Sequence, residues 1–448
     1  LSSTPGSYTV TYEIAAAGGC PLYSTTAGIT ITAAPLRYAD TDGDGFGDPA
    51  SSITNCLPVV GYVSNNTDNC PTLFGLIGDA CDDGDANTIN DLINGSCVCA
   101  GTNAPWYSQG SGAFTDAIWS HNIAGPGTVA VLNSASDVII QAGHAITIAG
   151  AQDVRDLSVE ATASLGLGAN TLTVHGDNVD IDGSLLGGTG NLSLTPAGTA
   201  TLDGSGTLNF YDLTVNAPNG LNCIANAPIR GTLSLVDGAF TATGAVSLVS
   251  NSNLTGRLGP VAATASYVGN LTVNRYIPAG ATNWRLLGSS VSGETVNDWK
   301  DDFYTAGFPG SHSPGFSSPV GSGILWPSVR WYNETNGGAQ VIDGLTGATS
   351  NSQSLVAGQG FAAWCGTGFA TTTAFTVDVT GNPNVAQTPI TLPMTYTNTG
   401  VPNTDGWNMV SNPLPSTILF SNMDRGADVL NFITYFDPAT GNNAVYDI

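Results

Sequence analysis

Leu157-Ser158-Val159, Leu172-Thr173-Val174, Leu192-Ser193-Leu194, Leu213-Thr214-Val215, Leu233-Ser234-Leu235, Val246-Ser247-Leu248 and Leu271-Thr272-Val273 repeat one pattern: apolar, hydroxyl, apolar. Their starts lie 15, 20, 21, 20, 13 and 25 residues apart, averaging 19. In an extended chain the outer two positions face one way and the middle one the other. Each copy therefore offers an inward apolar pair, and the Gly- and Asn-rich stretches between copies supply turns. A strand this short cannot bury its pair alone, whereas a stack of copies can. The reading is a β-solenoid over residues 104–272. An ordinary sandwich of short strands is the alternative.

Composition supports an all-β, multi-domain chain. Of 448 residues, 57 are Gly and 24 Pro, and only 10% are charged. Good helix formers are scarce: Glu occurs at positions 13, 160, 294 and 334, and Lys only at 300. Nine Lys and Arg stand against 34 carboxylates, for a net charge of −25. Binding to nucleic acid or to anionic membrane surfaces requires cations that this chain does not carry. No apolar run is long enough to span a bilayer as a helix. A hydrophobic content of 42% is enough to bury cores.

N-terminal to the repeats, residues 1–35 alternate with period two. Tyr8, Val10, Tyr12 and Ile14 face one way, Thr9, Thr11 and Glu13 the other, and Ile29 and Ile31 repeat the pattern. Two strands do not make a stable domain, so these read as the terminal strands of an immunoglobulin-like sandwich. The chain opens on a polar turn without a signal-peptide pattern and closes in a strand-like run. Both ends are expected to be cuts from a longer polypeptide. Residues 273–448 hold six of the eight Trp among wide Gly-, Pro- and Ser-rich loops. They read as a jelly-roll-like β-sandwich that need not be complete.

Residues 36–103 differ from the rest, with ten Asp between positions 40 and 91 and five Cys between 56 and 99. Asp40-Thr-Asp42-Gly-Asp44-Gly45-Phe46-Gly47-Asp48 carries carboxylates at positions 1, 3, 5 and 9, Gly at 6, and a backbone carbonyl (Phe46) at 7. That is the opening of a calcium loop, in which alternate side chains converge on one point. Position 12 is Ser51 and no flanking helices are evident, so this is not an EF-hand; a distant carboxylate such as Asp68 is needed to complete the shell. Asp83, Asp85, Asn87, the Ile89 carbonyl and Asp91 repeat the spacing more loosely, with Asp79 and Asp82 as added acceptors. The alternatives are a solvated acidic turn for the first and an Asx-turn-rich loop for the second. Zinc is disfavoured at the cysteines because no His lies near and carboxylates prefer hard cations. Clustered cysteines and scarce Lys suit an oxidising extracellular setting. Five is an odd number, so one cysteine of the cluster pairs outside it, with Cys20 as a candidate partner, or stays free. Cys223 and Cys365 read as buried thiols.

The runs YADTDGDGFGDP, NNTDNCP and GDACDDGDANT resemble thrombospondin type 3 repeats, in which Asp-rich turns wrap calcium and disulfides staple the turns. The resemblance implies Ca2+ held by Asp40, Asp42, Asp44, Asp48 and Asp68, and by Asp83, Asp85, Asn87 and Asp91. With it comes a pairing of Cys56 with Cys70, and of Cys81 with Cys97 or Cys99. The run TPGSYTVTYEIAAAGGCP resembles the ends of tandem sandwich repeats in giant secreted bacterial surface proteins. DVIIQAGHAITIAG, LTVHGDNVDIDGSL, VNRYIPAGATNWRLLGSSVSG and GWNMVSNPLPSTI are similar to stretches of large bacterial surface proteins exported by type IX secretion. These resemblances imply architecture and an extracellular, cell-surface location, and bring no catalytic residue.

A search for an active site finds little. His121, His144, His175 and His312 stand at no metal spacing from one another, and no nucleophile-elbow pattern supports a triad. Asp177, Asp180 and Asp182 read as outward-facing and solvated, and Arg155, Arg230 and Arg257 fall in different rungs. The expectation is a non-catalytic segment of a long extracellular fibre, filament or adhesin, stiffened by calcium and disulfides. Its partners would be neighbouring domains of the same chain or copies of itself, completed by strand addition. The rival reading is carbohydrate binding, with Trp326, Trp331 and Tyr332 stacking on surface glycans.

Overall fold

The computed structural model describes residues 4–336, 345–368, 370–385, 387, 389–392, 394–400, 405–437 and 442–447. Among them the regular structure is β-strand with three short 3-10 turns and no α-helix. The chain forms two compact units, Leu1–Ala104 and Pro105–Ile448.

The second unit contains a β-solenoid of about six turns. Three parallel sheets run along it. One stacks Trp106–Ser108, Val138–Ile140, Leu157–Val159, Asn178–Ile181, Ala200–Asp203 and Leu221–Cys223. The next stacks Gly112–Ala113, Ala145–Thr147, Ser164–Gly166, Ser184–Leu186 and Thr207–Asn209. The third stacks Gln152–Val154, Thr171–Val174, Asn191–Leu194 and Asp212–Asn216.

The register explains the uneven spacing of the tripeptides. Leu172 pairs with Leu192, Leu192 with Leu213 and Leu213 with Leu233, so the separations of 20, 21 and 20 are true turns of the third sheet. Leu157 belongs to the first sheet, and Val246, which pairs with Ala227 and Leu271, lies outside the third, so the 15- and 13-residue steps are changes of sheet. The mean of 19 mixes two kinds of distance. Leu157, Leu172, Leu192, Leu213 and Leu233 are fully buried. Each buried aliphatic side chain contributes about 1.5–3 kcal/mol relative to exposure. Where the strand Thr232–Leu248 passes from one sheet to the next, Gly238 adopts φ +75°, and a Cβ there would lie 1.7 Å from the Ala217 carbonyl oxygen. Only glycine fits that corner.

Trp106, Phe114 and Trp119 cover the first turn, with Trp119 Nε1–H donating to the Phe114 carbonyl at 2.8 Å. At the other end the strand Ala265–Ile277 pairs in parallel with the last turn and antiparallel with Phe375–Pro383. The expected boundary at 272/273 therefore falls inside one strand. A second sheet, Asn283–Leu287 with Phe361–Cys365, Val329–Trp331 and Thr346–Gly347, faces that antiparallel pair. Ile277, Val377 and Val379 meet Phe361, Ala363, Val329 and Trp331 in a sandwich core, and Val273 packs against both this core and that of the solenoid.

In the first unit, Gly6–Ile14 and Tyr23–Ile31 form an antiparallel hairpin, Tyr8 opposite Ile29. Its apolar face is exposed. Residues 36–103 contain a three-stranded sheet centred on Leu36–Ala39 and a hairpin, Thr88–Ile93 with Cys99–Asn103. Only Gly47, Asp68, Cys70, Asn87 and Ile93 are buried there. Disulfides join Cys70 to Cys97 and Cys81 to Cys99. The expected Cys56–Cys70 pair does not form, and Cys56 and Cys20 are exposed thiols. The tight turn after Thr88–Ile93 places Cys97, at φ 54°, against Cys70, and that contact is invisible to sequence spacing.

Candidate metal centre

The strand Leu36–Ala39 is held from both edges, by Ser52–Thr54 and by Tyr62–Val63, and delivers Asp40 to the start of the first acidic turn. Asp40 Oδ1 accepts the Gly43 N–H at 2.9 Å, Asp42 Oδ1 that of Asp44 at 3.3 Å, and Asp44 Oδ1 that of Phe46 at 2.8 Å. Gly43 and Gly45 sit at φ +84° and +88°, which lets three Asx turns follow one another. The result gathers one oxygen each from Asp40, Asp42 and Asp44 within 4.8 Å of one another.

Asp68 is brought in from the next loop, where its N–H donates to the Gly47 carbonyl at 3.2 Å. It is 2% exposed. Its Oδ1 accepts the Cys70 N–H at 2.7 Å. Its Oδ2 and the Oδ2 of Asp42 are buried without a hydrogen-bond partner. Burial raises the Asp42 carboxyl above the usual range, and the nearby charges of Asp44 and Asp68 add to it, against backbone N–H donors that lower it. A buried carboxylate oxygen without a donor costs several kcal/mol unless something positive meets it. Hard oxygen donors of this density fit a hard divalent cation such as Ca2+. Asp48 and Asp68 both lie outside the converging group: Asp48 Oδ1 accepts the Ala50 N–H at 2.8 Å, and Asp68 acts on the group through its charge near Asp42. Phe46, whose carbonyl is the expected ligand, follows Gly45 in the turn.

The second group differs from the spacing pattern. Asp82, Asp83 and Asp91 bring oxygens within 4.8 Å. Asp82 and Asp91 line an open cavity of about 520 Å³ together with Ile89 and Leu92. Asp83 Oδ1 accepts the Asp85 N–H at 2.9 Å and the Thr88 hydroxyl at 3.1 Å, and its Oδ2 accepts the Gly101 N–H at 3.0 Å. These donors, that of Asp85 first, lower its carboxyl. Asp91 Oδ2 accepts the Asp83 N–H at 3.2 Å, while its Oδ1 is buried without a partner. Asp85 is exposed and closes on its own loop, accepting both the backbone and side-chain N–H of Asn87 at 2.9 Å. Asn87 is buried beneath it. Asp79 accepts the Leu76 N–H at 2.8 Å. Asp82 thus takes the place that alternate spacing gave to Asp85. An Asx turn that closes on Asn87 withdraws Asp85, and the run Asp82-Asp83 was the available sign.

In the sandwich, Trp331 is 6% exposed and packs on Phe361. The half-buried indoles are Trp284, Trp326 and Trp364, with ring centroids 5.4–5.7 Å apart. The buried Arg330 guanidinium lies 4.4 Å from the Trp284 ring centre and 4.8 Å from that of Trp326. Tyr332 is half-buried. On the solenoid, His175 spans three turns. Its Nε2 is 2.8 Å from Asp153 Oδ1, and its Nδ1 is 3.0 Å from Thr195 Oγ1. Asp177 and Asp182 accept backbone N–H groups of the next turn, from Gly198 and Ser205 at 2.9 Å. Asp180 stands opposite Asp203, and burial with the charges of Asp182 and Asp203 raises its carboxyl.

The fold and the acidic groups define a class: an all-β solenoid chain that also carries a disulfide-bonded, Asp-rich segment. No helix among the described residues is long and apolar enough to cross a membrane. Comparison with protein-family models, curated proteins and solved structures returned no match.

Proposed function

We propose that this chain is a non-catalytic structural segment of a long extracellular, cell-surface fibre or adhesin, stiffened by calcium and disulfides. The observation that carries the reading is the buried, partnerless Oδ2 of Asp42, which converges with Asp40 and Asp44, together with the buried, partnerless Oδ2 of Asp68, whose charge acts on Asp42. Without a cation, this cluster opposes folding of a segment that buries few residues. With Ca2+ bound, the same charges become the centre that the loops wrap. Such extracellular sites bind at about 10⁻⁴–10⁻³ M, so millimolar calcium outside a cell suffices. The solenoid serves as a rigid spacer, since every turn is held by its neighbours. Two disulfides and the absence of a membrane-spanning helix among the described residues are compatible with export. Neighbouring domains of the same long chain, or further copies, are the partners. The test is thermal unfolding of the oxidised chain in EDTA and in 5 mM calcium. The reading expects a lower transition that rises with calcium and an upper one that does not. One calcium-insensitive profile overturns it.

A second reading, binding of surface glycans, is favoured by the half-buried cluster of Trp284, Trp326 and Trp364, and not by Trp331. Indole faces at a surface stack on sugar rings. Trp326→Ala abolishing retention on a glycan array supports it; no retention by the unaltered chain rejects it.

A further inference from the structure

Asn94-Gly95-Ser96 lies in the turn between Thr88–Ile93 and Cys99–Asn103, and all three residues are exposed. Asn94 Oδ1 accepts two backbone N–H groups, from Ser96 at 2.9 Å and from Val98 at 3.3 Å. Among the described residues, neither its Nδ2 nor the Gly95 N–H makes a hydrogen bond. A Cβ on Gly95 would meet nothing within 4 Å, so the space around its nitrogen is open. Two N–H donors on one carbonyl oxygen are the arrangement that stabilises a tetrahedral oxyanion. Here that oxygen belongs to an amide followed by glycine, the residue that least hinders the close approach of its own nitrogen. The other Asn-Gly step within the described residues is the opposite case. Asn219 donates its Nδ2–H to the Ala197 carbonyl at 2.7 Å, and Gly220 its N–H to the Ala217 carbonyl at 2.8 Å.

We propose that Asn94 is a self-modifying site, converted by water alone to isoaspartate, and that the conversion loosens the turn it caps. The Gly95 nitrogen attacks Asn94 Cγ. The N–Cγ bond forms, the Cγ–Nδ2 bond breaks, and the Gly95 proton leaves with Nδ2 as ammonia. The Ser96 and Val98 N–H groups hold the oxygen that carries the negative charge in between. Water then opens the five-membered imide. Cleavage at Cγ gives aspartate. Cleavage at the main-chain carbonyl carbon gives isoaspartate, in which the chain runs through the former side chain and gains a methylene. Nothing is oxidised or reduced. The aspartate product keeps an acceptor for Ser96 and Val98. The isoaspartate product lengthens a turn closed by the Asn94 N–H on the Val98 carbonyl at 3.0 Å and the Cys97 N–H on the Asn94 carbonyl at 2.9 Å. Ile93, the preceding residue, is 2% exposed and bonded through its backbone to Gly78 and Asp79. The loosening therefore reaches one of the few buried apolar residues of the segment. This inference does not depend on the calcium reading.

The experiment ages the full oxidised chain in neutral buffer. The peptides holding Asn94 and Asn219 are followed by mass spectrometry with electron-transfer fragmentation, which separates isoaspartate from aspartate. Asn94 is expected to convert, mostly to isoaspartate, while Asn219 in the same digest keeps its amide. Gly95→Ala, for which the structure has room, is expected to slow conversion roughly tenfold, a barrier change of about 1.4 kcal/mol. Asn94→Gln keeps an amide but enlarges the ring, and is expected to stay unconverted. In hydrogen exchange the aged chain loses protection at the Ser96 and Val98 amides, whereas fresh Asn94→Asp keeps it. An Asn94 amide that survives as long as that of Asn219, or a Gly95→Ala chain that converts as fast as the unaltered one, overturns the site. Equal protection in the aged and fresh chains overturns the loosening.

Discussion

The solenoid and the acidic segment solve the same problem with opposite means. Along the solenoid, Leu172, Leu192, Leu213 and Leu233 stack at zero exposure, and each turn is templated by the one before. Residues 36–103 bury almost nothing apolar beyond Cys70 and Ile93. Covalent bonds and carboxylates take the place of a core. The first solution depends on shape and is indifferent to ions and redox state. If the acidic groups hold calcium as proposed, the second depends on both, and one chain carries a region whose rigidity is unconditional and one whose rigidity is set by its surroundings.

The sharpest way to break this contrast is to open a hole in the stack. Leu213→Ala removes a fully buried side chain between two others and is expected to cost about 2–5 kcal/mol. The upper thermal transition falls, and calcium does not restore it. A calcium-dependent rescue would erase the distinction. Next in size is Cys81→Ala/Cys99→Ala, expected to cost the first unit about 2–4 kcal/mol through loss of a chain constraint. Urea unfolding followed by hydrogen exchange checks that the loss is confined to residues 1–104. Third is Asp42→Ala. With calcium at roughly ten to a hundred times the dissociation constant, binding supplies about 1.4–2.7 kcal/mol. The variant forfeits the calcium-induced rise of the lower transition and leaves the upper one in place.

The smallest expected effect sharpens the contrast from the other side, through pH in EDTA. Asp302 is pushed up to about 7, by burial and then by the charges of Asp378 and Asp301, against the Asp378 N–H that it accepts. Glu294 is 3% exposed, receives the Trp299 indole N–H at 3.2 Å, and is likewise raised by burial. A carboxyl raised on folding favours the native state while neutral. The penalty is present above pH 7 and is relieved as pH falls from about 7 toward 4. The upper transition is expected to rise by roughly 2 °C between pH 8 and pH 5. Asp302→Asn gives that rise already at pH 8 and flattens the profile.

Legibility in the sequence divided along the same line. Stacked parallel strands repeat a side-chain pattern at each turn, so Leu192 and Leu213 announce their neighbours. The Asp-rich turns were readable as turns because Asx geometry is local: Asp40 to Gly43 and Asp44 to Phe46 involve two or three residues. What sequence did not hold were contacts made across loops. Cys70 meets Cys97 rather than Cys56 because a hairpin turn intervenes. Asp82 replaces Asp85 because Asn87 captures the latter. Trp331 is buried and Trp284 half-buried because of how their strands register with Phe361–Cys365, about thirty and about eighty residues away in the chain. The exposed half of the pattern was also missing from the hairpin at Tyr8–Ile29, where both faces of alternation are visible in sequence but no covering layer is present among the described residues.

The seam where Ala265–Ile277 turns from a parallel neighbour to an antiparallel one decides whether the stack can grow. A stack of parallel strands is like a crystal step: its last row presents unpaired N–H and C=O groups at the spacing that accepts another row. Left bare, it would recruit any extended chain, including its own copies. Here the row from Leu271 to Ile277 is consumed by Phe375–Gly381 running the wrong way to be copied. The last strand of the third sheet, Arg257–Leu258, gives its Leu258 N–H to the Pro415 carbonyl at 2.7 Å. Reversing direction at the final layer terminates the lattice, and the solenoid has a fixed length because of it.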